Sequence, residues 1–230
     1  MNLLLLRAAG EGDHATPRLG PGGWWRGKWK SAPRRPRLAR MEPAYKLLTV
    51  AEFFDACPRD RRRYQLLDGV IVAMAPPREA HQIIQMNLGF ELGAALRSNR
   101  PDCTLHAEAG IAPAGLAGRD HFTADVVFTC APPDPDSRGI VAQPLLITEI
   151  LSPSTERDDI FLKLPAYQRI PSVREVLYVE SERIAATVHR RAGDAWTPEE
   201  LAGPEARLIL ATLGLDIPLA ALYRSLPTLR

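Results

Sequence analysis

Residues Pro144–Tyr167 read PLLITEILSPSTERDDIFLKLPAY, and the interpretation of the whole chain starts from this stretch. Its first eight residues are apolar except for Thr148 and Glu149, which is typical of a strand buried on both faces of a sheet. We expect Pro153 to end this strand, because proline cannot donate to a ladder hydrogen bond. A buried carboxylate such as that of Glu149 is costly unless it is paired, protonated or bound to a metal.

A helix is predicted to follow the strand, with Ser154 or Thr155 as its N-cap. Lys163 and Tyr167 lie four residues apart on this helix and therefore share one face. The helix could therefore place the ammonium group of Lys163 next to the buried carboxylate of Glu149, an arrangement that is found in active sites. An equally good interpretation of this stretch alone is a buried ion pair that ties the strand to the helix.

The composition indicates one globular domain with appendages. The chain has 230 residues, of which 46% are hydrophobic. Its three cysteines, Cys57, Cys103 and Cys130, are far apart and form no CxxC pair, so we expect neither a disulfide framework nor a zinc ribbon. No apolar run approaches the roughly 20 residues of a membrane span. A cytoplasmic protein without a membrane partner is therefore expected.

The charge is unevenly distributed along the chain. Residues 1–40 hold nine basic and two acidic residues, which leaves 20 basic and 25 acidic residues for the remainder. This first segment is rich in Gly, Pro and Arg, so we interpret residues 1–40 as a disordered basic tail. Its tryptophans could instead stack on nucleic-acid bases, an interpretation that we favour less. Met41 offers a second start, and we expect residues 41–230 to form a single domain.

Local patterns predict most of the remaining elements. Thr49 and Glu52 match a capping box that begins a short helix. Asp68-Gly69 stands between two apolar runs and predicts a hairpin. Apolar residues recur at helical spacing over residues 79–99, with His81 near the helix start. Further predicted elements are strands at 103–113, 122–129, 173–180 and 184–191, C-terminal hairpins and a closing helix at Leu219–Leu226.

Two of the strands that resemble buried strands each carry one acid. Asp125 lies in FTADVVFT, and Glu149 follows 24 residues later. Two carboxylates in a cleft of low dielectric repel each other unless a cation lies between them, and hard oxygen ligands suit Mg²⁺ or Mn²⁺. Lys163, 14 residues after Glu149, could hold or deprotonate an attacking water. This combination fits metal-assisted hydrolysis of a phosphodiester.

Five motifs occur in order along the chain: YQLLDG (64–69), His81 near a helix start, ADVVF (124–128), TEILSPST (148–155) and RDD followed by KLPAY (157–167). Together they resemble the Uma-two-type restriction endonuclease family, part of the PD-(D/E)XK nuclease superfamily. The resemblance covers about residues 49–226. It implies an α/β fold with a restriction-endonuclease-like core, in which helices flank a central mixed β-sheet, here with C-terminal β-hairpin additions.

The resemblance also implies roles for individual residues. Asp125 matches the acid of the PD motif, and Glu149 matches the acid of the (D/E)XK motif. Leu151 stands where the lysine of that motif is usually found, and Lys163 on the following helix matches the displaced lysine. The main-chain carbonyl of Ile150 would be a third metal ligand beside the two acids.

Three further residues are assigned to the catalytic set by the same resemblance. Tyr167 would orient Lys163 or contact a phosphate, and His81 would contact a phosphate or a water molecule outside the direct ligands of the metal. Gln65 stands where many relatives carry Glu, which removes a negative charge and weakens the expected metal affinity. Pro165 departs from a regular helix and could change the direction of Lys163.

The function expected from these residues is Mg²⁺-dependent (or Mn²⁺-dependent) cleavage of DNA by a homodimeric endonuclease. The C-terminal hairpins or Leu219–Leu226 would supply the dimer interface, although their apolar residues are explained better as core. Two alternatives stay open. One is a nuclease-fold module with weakened catalysis that binds nucleic acid or has a regulatory role. The other is a phosphodiesterase that acts on RNA or on a small molecule.

Overall fold

In this computed structural model the described residues are 46–152 and 159–226, all of which fall in one compact unit, Ala44–Arg230. The basic segment 1–40 and the proposed N-cap residues Ser154 and Thr155 lie outside the described residues. The expectations placed on them therefore remain predictions.

The described residues contain three α-helices and ten strands. The helices are α1 (Val50–Ala56), α2 (Glu79–Asn99) and α3 (Leu164–Gln168). The strands are β1 (Tyr64–Leu67), β2 (Val70–Ala73), β3 (Thr104–Ile111), β4 (Phe122–Thr129), β5 (Pro144–Leu151), β6 (Glu175–Glu180), β7 (Ala185–Ala192), β8 (Ala195–Ala202), β9 (Arg207–Leu210) and β10 (Leu215–Pro218). A turn of π-helix, Asp159–Lys163, leads into α3.

The centre of the fold is a six-stranded mixed sheet in the order β3-β4-β5-β6-β7-β8. Strands β5 and β6 are parallel, and the other neighbours in this sheet are antiparallel. A parallel pair needs a crossover connection, and the π-helical turn with α3 belongs to that crossover. The expected mixed sheet with flanking helices is confirmed, and β7-β8 and β9-β10 confirm the expected C-terminal hairpins.

Strand β5 lies between two parts of the hydrophobic core. Leu146 and Ile150 belong to the cluster that α2 covers, whereas Ile147 and Leu151 belong to the cluster that contains Tyr167 of α3. The strand is thus buried on both faces, as its apolar pattern predicts. Its one acid is consequently placed in the interior.

Helix α2 packs on the sheet through one face. Ile84, Leu88 and Leu92 are fully buried there, at the spacing expected of an amphipathic helix. Met86 and Phe90 point to solvent and are 61% and 68% exposed. Although α2 is the longest helix, no helix in the described part of the chain is both long and apolar enough to cross a lipid bilayer.

Two local predictions are confirmed in detail. Thr49 caps α1 through its hydroxyl oxygen, which accepts from the Glu52 main-chain nitrogen, and the Glu52 carboxylate accepts from the Thr49 nitrogen at 2.9 Å. Asp68 and Gly69 join β1 to β2 with φ of 44° and 80°. Positive φ at both central residues defines the type I′ turn that Asp-Gly favours in hairpins.

The C-terminal segment differs from the predicted closing helix. Pro218 is the last residue of β10, and a 3₁₀ helix, Leu219–Tyr223, follows it. Leu219, Leu222 and Tyr223 are buried in the core cluster of α2. Their apolar character therefore reflects core packing, which the sequence already favoured over a dimer interface.

The expectation of no disulfide is wrong for one cysteine pair. Cys103 and Cys130 form a disulfide, while Cys57 is free. The two cysteines flank Thr104 and Thr129, which are paired across β3 and β4, so the antiparallel register places them side by side. The sequence did not reveal the bond because 27 positions separate the two residues and only the register brings them together.

Candidate active site

Asp125 and Glu149 lie where β4 and β5 separate. The antiparallel register joins Val126 to Thr148 and does not continue to the two acids. Asp125 Oδ2 instead accepts a hydrogen bond from the Ile150 main-chain nitrogen at 2.6 Å. This carboxylate therefore replaces a ladder hydrogen bond and links the two strands at the point where they diverge.

A cleft of about 300 Å³ opens at this point. Asp125, Glu149, Ile150 and Lys163 line one part of it, and Ala75–Arg78, between β2 and α2, line another. Its volume is at the lower end of that of ligand-binding pockets. The structure thus brings both predicted acids, the predicted lysine and the predicted carbonyl donor to one cleft.

Glu149 is held by two donors from the crossover. Lys163 Nζ donates to Glu149 Oε1 at 3.1 Å, and the Tyr167 hydroxyl donates to the same oxygen at 2.6 Å. Glu149 and Lys163 are only 2% and 5% exposed. Burying one of these charges alone would be strongly unfavourable, and the paired, hydrogen-bonded arrangement offsets that cost.

Pro165 does not turn Lys163 away from the acid. Lys163 ends the π-helical turn, and Pro165 occupies the first turn of α3. A proline is tolerated there because the first N–H groups of a helix have no acceptor within the helix. The ammonium group consequently reaches Glu149 even though it comes from a helix and not from β5.

Asp125 is also bound by α2. Its Oδ1 lies 3.1 Å from His81 Nε2, and its main-chain oxygen accepts from Gln85 Nε2 at 2.9 Å. His81 and Gln85 are four residues apart, so they project from the same face of α2. The structure therefore places His81 beside the metal-ligand candidate Asp125, in the cleft.

Glu108 is a site residue that the sequence interpretation missed. It lies on β3 between Ala107 and Ala109, whose partners on β4 flank Asp125. Ligand atoms of His81, Glu108 and Asp125 all lie within 4.8 Å of one another. The available signal was a lone acid on the strand preceding the PD-like strand, since a hairpin register brings such residues together.

Arg63 directly precedes β1 and Gln65 is the second residue of that strand, and the structure places the two side chains differently. Arg63 lines the cleft and forms an ion pair with Glu108. Gln65 is buried, its side-chain oxygen has no hydrogen-bonding partner among the described residues, and it is not part of the cleft lining. The catalytic role expected of Gln65 therefore stays a prediction.

The donor groups in the cleft suit a hard divalent cation. Asp125, Glu149 and Glu108 offer carboxylate oxygens, and His81 offers an imidazole nitrogen, a set that Mg²⁺ and especially Mn²⁺ accept. In a strand, the N–H and C=O of one residue point to the same side. The Ile150 carbonyl is therefore directed toward β4, as its N–H is.

Comparison with known proteins identifies the relatives of the chain. A model of the Uma2 family, described as "Putative restriction endonuclease", matches residues 50–220. The chain is 27% identical over 180 residues to "Uncharacterized protein slr1290" from Synechocystis sp., a match that covers 78% of this chain and 93% of that protein.

A solved structure shares the fold. It is described as the crystal structure of a "putative nuclease belonging to DUF820" from Anabaena variabilis, and it superposes with a TM-score of 0.63 at 15% identity. The match covers 76% of this chain and 97% of that chain. At this identity the likeness shows a common fold, in which the cleft residues described above are embedded.

Proposed function

We propose, because this chain belongs to the Uma2 family, that it is a metal-dependent endonuclease that hydrolyses phosphodiester bonds of DNA. Asp125, Glu149 and the Ile150 carbonyl would hold Mg²⁺ or Mn²⁺. The bound metal would polarise the phosphoryl group and lower the pKa of a water molecule. The single observation that carries this proposal is the buried Glu149–Lys163 pair beside Asp125 in an open cleft.

The residues of this chain would divide the remaining work. The Lys163 ammonium, fixed by Glu149, is suited to orient a water molecule and to offset the negative charge that grows on the phosphoryl oxygens. Tyr167 keeps Glu149 in place through its hydroxyl. His81 restrains Asp125 and is directed at the same cleft, where it would contact a phosphate or a water molecule.

The test is cleavage of plasmid DNA by the purified full-length chain with Mg²⁺, Mn²⁺ or EDTA. We expect metal-dependent cutting, and a loss of at least about a hundredfold in Asp125→Asn and Glu149→Gln, since removing one electrostatic contact to the transition state has effects of this size. Asp194→Asn, in the exposed β7-β8 turn, is the matched control. Cutting by Glu149→Gln at the wild-type rate would contradict the proposal.

RNA and single-stranded DNA belong in the same experiment, because the cleft chemistry serves any phosphodiester. The alternative function, a nucleic-acid-binding or regulatory module with a weakened site, is favoured by Gln65, whose amide is neutral. That alternative predicts a shift of DNA in a gel without cutting under any metal condition.

We further propose that the enzyme acts as a homodimer, because a pair of active sites can cut both strands of a duplex in one binding event. The exposed face of α2 with Met86 and Phe90 suits a second copy of the chain. Two α2 helices crossing antiparallel would bring the exposed Glu79 of one copy toward Arg97 of the other. Light scattering of the full-length chain tests this, because a mass of one chain would exclude the dimer.

A further inference from the structure

Glu108 faces two kinds of partner at once. Its Oε1 accepts from Gln85 Nε2 at 3.1 Å, and its other oxygen is in an ion pair with the Arg63 guanidinium. The same carboxylate lies within ligand distance of the atoms that His81 and Asp125 would offer to a metal. The negative charge of Glu108 is thus already neutralised by the guanidinium of Arg63, before any metal binds to His81, Glu108 and Asp125.

A divalent cation at these three residues would weaken the contact between Arg63 and Glu108. A metal beside this carboxylate would place two further positive charges close to the guanidinium, and at short range in a part-buried cleft such charges repel strongly. The ammonium of Lys163 lines the same cleft and adds to the repulsion. Metal binding therefore favours any position of Arg63 that is farther from Glu108 or closer to an anion.

Arg63 has the freedom to change partner. It lies in the connection before β1, and its side chain is partly exposed at the cleft. A guanidinium forms paired hydrogen bonds with phosphate oxygens as readily as with a carboxylate. A phosphodiester that enters the cleft would meet Arg63 together with Lys163, while Arg78 lines the cleft as well.

We propose that Arg63 and a divalent cation compete for Glu108, and that the arginine released by the metal binds the phosphodiester of the substrate. This inference rests on the proposed function, and it concerns a metal held by His81, Glu108 and Asp125, a set that shares Asp125 with the ligands named there. The metal and the nucleic acid then strengthen each other's binding. The metal frees Arg63 from Glu108 to bind a phosphate, and the phosphate holds the positive charge of Arg63 away from the metal. In the absence of nucleic acid, Arg63 lowers the metal affinity of the site, so filling the site needs a higher metal concentration than when a substrate is present.

The test is calorimetric titration of Mn²⁺ into the full-length chain, with and without a short duplex that carries phosphorothioate linkages and resists hydrolysis. Arg63→Gln should bind Mn²⁺ about tenfold more tightly than wild type when no duplex is present. It should also lose most of the tightening that the duplex causes in wild type. Arg62→Gln is the matched control, because Arg62 pairs with Asp60 at the surface and should leave both quantities unchanged.

A double variant separates this role from a merely structural one. In Glu108→Gln, which has no charge for Arg63 to compete for, Arg63→Gln should not tighten Mn²⁺ binding further. Unchanged or weaker Mn²⁺ binding by Arg63→Gln, with wild type binding Mn²⁺ and cutting DNA, overturns the inference and leaves the proposed function intact. Failure of wild type both to bind Mn²⁺ and to cut DNA overturns the two together. Circular dichroism of each variant verifies that it is folded.

Discussion

His121 is a buried imidazole that directly precedes β4, where its main chain forms an isolated antiparallel bridge with Leu66 of β1. It is 7% exposed, packs against the rings of Phe53 and Phe54 with centroids 5.2 Å away, and has no hydrogen-bonding partner for either ring nitrogen in another described residue. Burial lowers the pKa of His121 below its ordinary value of 6.5, because the charged ring would lose its hydration. Burial in the folded state therefore favours the neutral ring over the charged ring.

This imidazole should make the protein less stable in mild acid. Since the pKa is lower in the folded state, the stability is fully present above the unfolded pKa of about 6.5 and is lost as the pH falls toward the folded pKa. We expect the free energy of unfolding to fall by up to about 1.4 kcal/mol per pH unit and titrating group in that range. Urea denaturation between about pH 7.5 and pH 5.5 measures this dependence.

The variant to compare with wild type is His121→Leu. Its free energy of unfolding should depend less on pH than that of wild type, whatever its value at pH 7.5. His189, whose pKa is also lowered by burial, should contribute the remainder, so His189→Gln is the second variant. The same pH slope in wild type and in His121→Leu would show that His121 is not responsible.

Residues differ in how far the sequence could place them in the cleft. Asp125, Glu149 and Lys163 could be picked out because a charge inside an apolar run, or at helical spacing after it, is locally visible. Glu108 is visible as a lone acid on β3, but its meeting with Asp125 and Arg63 depends on the β3-β4 register and on the connection before β1. The catalytic roles of all these residues stay predictions.

At the scale of elements, regular local patterns predict helices, strands and turns most reliably. The two-sided burial of β5, the capping box of α1 and the Asp-Gly hairpin each follow from a few neighbouring residues, and each is confirmed. At the C-terminus, the spacing of Leu219, Leu222 and Leu226 predicts a helix up to Leu226. The structure has a short 3₁₀ helix, Leu219–Tyr223, which this leucine spacing does not distinguish from a longer α-helix. The disulfide of β3 and β4 was missed because it depends on long-range register.

The Cys103–Cys130 bond should stabilise the edge of the sheet. It closes a loop over 27 positions, for which the chain-entropy model gives about 3.5 kcal/mol of stabilisation. A domain of this size changes its melting temperature by about 2–4 °C for each kcal/mol. We therefore expect a phosphine reductant to lower the melting temperature by about 10 °C, as differential scanning calorimetry would show.

Two variants make this prediction specific. Cys130→Ser should melt like the reduced wild type and should not respond to reductant, because its bond is already absent. Cys57→Ser should behave like wild type with and without reductant, since Cys57 is free. Equal melting temperatures of oxidised and reduced wild type would contradict the assigned contribution.

At the scale of the whole molecule, metal binding should be visible as a gain in stability. A ligand that binds only the folded state at 100 times its dissociation constant adds about 2.7 kcal/mol. For this chain that corresponds to a rise in melting temperature of about 5–10 °C with Mn²⁺. The rise should be smaller in Asp125→Asn, because Asp125 belongs to both candidate ligand sets.

The same measurement separates the two functions considered for the molecule. A weakened binding module would show no rise with Mg²⁺ or Mn²⁺, whereas the endonuclease would show one that EDTA reverses. A rise that is equal in wild type, Asp125→Asn and Glu149→Gln would place the metal elsewhere.

Lys163 lies in the crossover and not on β5, and this has a consequence for how related chains can be found from their sequences. In the usual order the strand must carry both the acid and, two positions later, the base. Here Leu151 occupies that later position and belongs to the apolar core. The strand and the helix are tied together by this buried pair, yet a search by the spacing Glu-x-Lys would pass over it, because the two charges meet in space and not in sequence.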